Sequence, residues 1–262
     1  MNLKLFFSVF AAAVFFYSCQ EVIDIPLNSS EPALVIEGNV NNGTNEQVVY
    51  ISQTKPFSAS SSFNGVSGAE VSIETGRGRI VPLSEQSKGV YITRSLVGRP
   101  GETYKLLVKN KGREYQAVST MPKPVPFDSL RLTLTTFMDR QSKSIEAAYK
   151  DSAGIENYYL FRLIVNNIPS KKIFVFSDEF TDGKIVSQDL YDFDIDLKKE
   201  DQVEVWFHGI DKNVYRYWLG MSLNENRGAA STTPANPVSN ISGGVLGYFS
   251  AQCVQRRSTV IP

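Results

Sequence analysis

GVYITRSLVGRPGETYKLLVKNKGREYQAVSTMP, residues 89–122, is a chain of short apolar–polar alternations cut by glycine and proline. Val90 to Thr93 and Tyr104 to Val108 have the two-residue period of half-buried strands, and Glu114 to Thr120 continues it after Gly112. Gly98-Arg99-Pro100-Gly101 supplies the turn chemistry between the first two. Tyr104 stands just inside its strand after Pro-Gly-Glu-Thr, the placing of a tyrosine corner whose hydroxyl bonds back to nearby backbone. Strands this short, at regular spacing and without helical periodicity, predict a β-sandwich of about 90 residues.

Upstream the pattern repeats. Ala33 to Val40 and Gln47 to Ser52 read as strands joined by an Asn-Gly turn over 41–45. KPFSASSSFNGVSG, 55–68, is a polar, serine-rich loop. Ala69 to Glu74 and Ile80 to Leu83 form a hairpin around Gly76 and Gly78. Downstream, MPKPVPFDSL carries three prolines in six residues. Proline cannot continue a ladder, so a stiff linker over 122–129 is expected to divide a sandwich at 33–121 from a C-terminal β-rich domain at 130–262. The fold expected is mainly β: two tandem β-sandwiches of immunoglobulin, fibronectin III or prealbumin-like type.

The second domain has strand-like runs at Leu130–Phe137, Ile145–Tyr149, Tyr158–Val165, Lys172–Phe176 and Gln202–His208, with an acidic turn SDEFTDG over 177–183. The period then changes. Val214, Tyr217, Trp218 and Met221 fall at i, i+3, i+4 and i+7, which predicts one amphipathic helix over 212–224 with Asp211 as its N-cap. The tail beyond is irregular, with NPVSNISGGVLGYFSA read as a wrapping loop and final strand that close the second sandwich, the alternative being a Gly-bearing segment whose backbone approaches a partner closely.

The N-terminus speaks to location. Lys4 precedes an apolar run from Leu5 to Tyr17, the layout of a secretory signal and too short for a membrane span. The run ends in Phe16-Tyr17-Ser18-Cys19. A small residue followed by Cys is the core of a bacterial lipoprotein box: residues 1–18 are expected to be cleaved, and the Cys19 thiol to carry diacylglycerol. Each buried acyl methylene contributes about 0.8 kcal/mol, so several chains anchor stably. The alternative is an ordinary exported protein with a chance cysteine. Residues 19–32 read as a tether. Cys253 then has no internal partner, and stability must come from the core.

The 27 basic and 27 acidic residues balance, with no basic run, so the electrostatic footprint of nucleic-acid binding is missing. Aromatics, with 16 Phe and 12 Tyr, suit a β-rich protein. Asp192, Asp194 and Asp196 resemble the start of a calcium loop, but Leu197 and Val203 occupy the sixth and twelfth positions, where Gly and Glu are needed. A half-buried strand with a solvated acidic face is the reading there. No metal is expected, and the remaining acidic candidates for a cation are Asp178, Glu179 and Asp182. His208 is the sole histidine, expected at a strand end facing solvent, which disfavours a zinc site or a triad. Cys253 is expected to be a buried thiol. Trp206, Trp218 and the tyrosines are either core or a sugar platform. Asp128-Ser129-Leu130 and Asp151-Ser152-Ala153 match a short O-glycan acceptor pattern, making Ser129 and Ser152 candidate sites.

Several stretches in a fixed order then resemble one family: the Cys19 box with Glu21 and Asp24, LVIEGNVNN, GAEVSIETGRG, the opening 89–122 stretch, KNVYRYWLGM and NPVSNISGGVLGYFSA. They are similar to an uncharacterised family of Bacteroidetes-type outer-membrane lipoproteins, classed as a domain of unknown function. The resemblance implies a chain encoded beside a TonB-dependent receptor and supplies no catalytic residues and no cofactor. The expected function is a non-enzymatic, lipid-anchored accessory of the outer membrane, at its periplasmic face or the cell surface. It would bind a small nutrient or dock on a TonB-dependent transporter. A structural or adhesive surface module is the alternative.

Overall fold

The computed structural model describes residues 32–55, 63–137, 140–225 and 236–262. The leader over 1–18, Cys19 and all of the tether but Pro32 lie outside the described residues. Fifteen strands and one helix follow in the order β1 (Leu34–Asn41), β2 (Gln47–Gln53), β3 (Glu70–Thr75), β4 (Ile80–Ser87), β5 (Val90–Thr93), β6 (Thr103–Asn110), β7 (Arg113–Thr120), β8 (Phe127–Phe137), β9 (Arg140–Lys150), β10 (Tyr158–Val165), β11 (Ile168–Pro169), β12 (Phe174–Ser177), β13 (Ile185–Leu190), β14 (Gln202–Ile210), α1 (Lys212–Glu225) and β15 (Leu246–Val260). The described residues are mainly β, with two sheets and one helix among them, and residues 32–262 form one compact unit. Among the described residues no helix is long and apolar enough to cross a membrane.

The alternation in 89–122 does what its period dictates. In β6 and β7 every second residue is buried, and Tyr104, Leu106, Val108 and Ala117 enter a first core with Ile36, Ile73 and Tyr91. Tyr104 is fully buried. Its hydroxyl accepts the Arg99 N–H at 2.8 Å and donates to Glu102 at 3.0 Å, which is the expected corner. The Asn-Gly turn between β1 and β2 is locked by a side chain. Buried Gln47 accepts the Asn41 N–H at 2.7 Å and donates to the carbonyls of Asn41, Thr44 and Leu96.

A second core lies between two layers. One is the three-stranded sheet β13-β9-β8, and the other comprises β10, β12, β14 and the C-terminal part of β15. Phe207 stacks on Phe161 with centroids 4.7 Å apart, and Phe127 and Tyr149 pack around them. Helix α1 starts where expected. Asp211 Oδ1 accepts the N–H groups of Asn213 and Val214 at 2.9 and 3.0 Å. Val214 and Tyr217 are buried against Leu160, Ile210 and Tyr248, with Trp218 and Met221 alongside, so the helix covers the second face of the sheet where β10 begins and β14 ends.

β8 begins at Phe127, inside the stretch read as linker, because only Pro122 to Pro126 lack ladder bonds. The closing segment also departs from expectation. Ile241, Val245, Phe249, Ala251 and Cys253 enter the first core, not the second. β15 runs parallel to β1 over Leu246–Gln252 and antiparallel to β14 over Cys253–Val260, so one strand carries an unbroken sheet from β7 to β11. Gly247 permits this. Its φ is +97°, and a Cβ there would lie 2.0 Å from the Ile36 carbonyl oxygen. Ser119 ties the junction: its hydroxyl accepts the Ala251 N–H at 2.8 Å and donates to Asp211 Oδ2.

Candidate functional site

The loops after β9 and β12 bring three acids together. Asp151 leaves β9 where β13 pairs with it, and Asp178 follows β12 directly. One carboxylate oxygen from each of Asp151, Asp178 and Asp182 lies within 4.8 Å of the others. Two of the expected acids, Asp178 and Asp182, are therefore in the cluster. Exposed Glu179 is outside it, and Asp151 was missed. The sequence signal for Asp151 was weak: an acid ending one strand-like run, as Asp178 ends another, with the meeting set by the β9–β13 ladder.

The cluster has its own hydrogen-bond donors. Asp151 Oδ2 accepts the Gly183 N–H at 2.8 Å, and its Oδ1 accepts the Tyr159 hydroxyl. Asp178 Oδ2 accepts the Asn157 N–H at 2.8 Å, and Asp182 Oδ1 that of Gly154 at 2.8 Å. These bonds fasten loop 151–157 to loop 178–184. Burial, together with the charges of Asp151 and Asp182, raises the Asp178 carboxyl above its ordinary value against the pull of the Asn157 N–H. The buried hydroxyls of Tyr149 and Tyr159 are pushed up, first by burial and then by the neighbouring carboxylates. Three carboxylates within this span are the donor chemistry of a hard divalent cation, whose oxygens sit at about 2.4 Å. Phe180 and Ile155 project into solvent from the same two loops.

The aspartates 192, 194 and 196 do not lie on a strand. Residues 191–196 form a turn in which Asp192, itself buried, accepts the Ser170 hydroxyl at 2.5 Å and the Asp194 N–H at 3.0 Å. Phe193, expected on a buried face, is 83% exposed. Self-capping by an aspartate side chain competes with the ladder here and wins. Lys172 secures the turn by donating to the Tyr191 carbonyl at 2.5 Å.

His208 is also corrected. It sits within β14 and is 3% exposed, because the outer face of β14 is covered at its C-terminal end, from His208 to Ile210, while Glu204 and Trp206 stay partly exposed. Burial, then the nearby Arg162 and Arg256 charges, lowers the imidazole to about 3. The Gln252 amide offsets a little of this without reaching hydrogen-bond geometry. Trp218 packs edge-on against Tyr217 and Tyr248, and Trp206 shares the His208 face with its ring centroid 6.3 Å away. Cys253 is a buried free thiol, as expected. Burial pushes it up to about 11, and Asn42 donates to its sulfur at 3.2 Å. Ser129 is half-buried at the β8 bulge, and Ser152 is half-buried in the loop after β9.

The sequence matches the profile of a domain of unknown function, DUF4249, over residues 20–258. The chain belongs to the DUF4249 family. No curated protein matches it. Membership spans both cores and the β15 junction, so the shared element of this family is the whole compact unit and not one half of it.

Proposed function

We propose that this DUF4249 protein is a lipid-anchored, non-enzymatic accessory of the bacterial outer membrane. In this reading it docks on a TonB-dependent transporter and serves nutrient uptake. The observation that carries the proposal is Ser18-Cys19 directly behind the apolar run Leu5–Tyr17. That pattern supports thioether attachment of diacylglycerol to Cys19 and acylation of the amine freed by cleavage. Two or more chains give lasting anchoring where one gives only reversible binding. The resemblance of the ordered stretches to receptor-linked lipoproteins supports the partner.

Mild detergent extraction from the native host followed by affinity capture tests it. Recovery of a TonB-dependent receptor is expected, and recovery of the lipoprotein alone counts against docking. A second reading, a structural or adhesive surface module, draws on the exposed aromatic tips Phe180 and Phe193. Deletion separates the two: impaired uptake with normal attachment supports the accessory role, and the reverse supports adhesion.

A further inference from the structure

The outer face of β14 holds an unsatisfied polar pair beneath two cations. By register, Arg162 of β10 and Arg256 of β15 are both direct partners of Trp206, so two arginines flank one tryptophan across three strands. Both arginines are exposed. The Arg256 guanidinium carbon lies 3.8 Å from the Trp206 ring centroid, and that of Arg162 lies 5.6 Å from the Trp218 ring. Neither arginine takes part in the four ion pairs found among the described residues.

In the same row and the next, Trp206 Nε1 and both ring nitrogens of His208 are buried without a hydrogen-bond partner. The neighbouring amide, Gln252, donates to Asn41 at 2.7 Å and accepts from the Ser250 hydroxyl at 3.5 Å, and it stands beside His208 outside hydrogen-bond geometry. The strand partners of His208 are Leu160 and Val254, which offer no polar side-chain atom. Buried polar side-chain atoms are nearly always satisfied in native proteins, so three orphans on two adjacent side chains call for a ligand or water. Their setting selects its charge. Two guanidiniums and an indole N–H are donors only, and imidazole adds one more donor when neutral. Glu37, on the Arg162 side, is the carboxylate whose field reaches that guanidinium, and burial raises its carboxyl above the ordinary value.

We propose that the Arg162–Trp206–Arg256 row, with His208 beside it, is a binding site for a small soluble oxyanion, a carboxylate or phosphate group. The planar guanidinium forks match such oxygens bidentately. Trp206 adds a neutral N–H, and the acceptor nitrogen of neutral His208 accepts a hydrogen bond from a protonated ligand oxygen or a bridging water. The site goes beyond the transporter-docking reading and does not depend on it.

The test uses the full chain in mild detergent with its two tryptophans labelled at the indole nitrogen. Two indole N–H signals result, and Trp206→Phe identifies the one from Trp206. Sodium phosphate and sodium acetate are titrated against sodium chloride at matched ionic strength. The Trp206 signal is expected to move saturably with phosphate or acetate and not with chloride, and the more effective probe assigns the class. Arg162→Gln and Arg256→Gln, both at exposed positions, should each weaken the response about tenfold. Three results overturn the proposal: no saturable shift with either probe, an equal shift with chloride, or an unchanged shift in the double arginine variant, which identifies an adventitious ion only.

Discussion

Acidification should destabilise this protein through His208 before its carboxylates respond. The imidazole is held at about 3 in the fold, against an ordinary value near 6.5. The lowered value means that the folded state refuses a proton which the unfolded chain accepts. The stability contributed by the neutral ring is therefore complete above about pH 6.5 and is lost as pH falls through that value toward 3. The limiting slope is about 1.4 kcal/mol per pH unit, which amounts to about 2 kcal/mol by pH 5. For a unit of this size that is a fall of about 4–8 °C in Tm. The window is clean because His208 is the only histidine. Glu85, Glu114, Glu156 and Asp201 have lowered carboxyls and titrate below it, while raised Glu37 and Asp178 take up protons in the fold and oppose the slope. Thermal unfolding of wild type and His208→Leu at about pH 7, 6 and 5 gives the comparison. The wild type should lose stability across the series and the leucine variant should not. At neutral pH the variant should match or exceed wild type, since it removes two unsatisfied buried nitrogens. Parallel profiles for the two proteins would refute the reasoning.

Gly247→Ala should cost about 3 kcal/mol or more, because any Cβ collides with the Ile36 carbonyl in the β1–β15 ladder; an unchanged urea midpoint would contradict that pairing. Tyr104→Phe should cost about 1–2 kcal/mol by orphaning the Arg99 N–H, read by the same midpoint. Gln47→Leu should cost about 2–4 kcal/mol, since it strips the partners of four backbone groups in the β1–β2 turn. Asp178→Asn should raise Tm at neutral pH in the presence of a chelator by relieving like-charge crowding with Asp151 and Asp182; a fall would show that the third carboxylate is needed.

What the sequence made legible was local. The period of two in 89–122, the placing of Tyr104 before its strand, and the 3.6-residue stripe behind Asp211 each depend on neighbours within one turn or one hairpin, and each appears as expected. What escaped was set by distant pairing. The Gly-bearing tail could be read as strand, but its parallel partner, β1, lies more than two hundred residues away, so its membership in the first core was hidden. QVEVWFH alternates cleanly, yet alternation names two faces without saying that the second is covered at its C-terminal end, which is why His208 is buried and not solvated. Asp192 was misread because self-capping leaves the same alternating letters as a strand. Within the acidic cluster, Asp178 and Asp182 were visible as neighbours in one turn, whereas Asp151 joins them only through the β9–β13 ladder.

The proposal that Cys19 anchors the chain is tested most directly by intact-mass and N-terminal peptide analysis of the mature protein from its native host. The account predicts a first residue Cys19 carrying a thioether-linked diacylglycerol and an acylated amine. A chain that begins elsewhere, or at Cys19 without lipid, would contradict it.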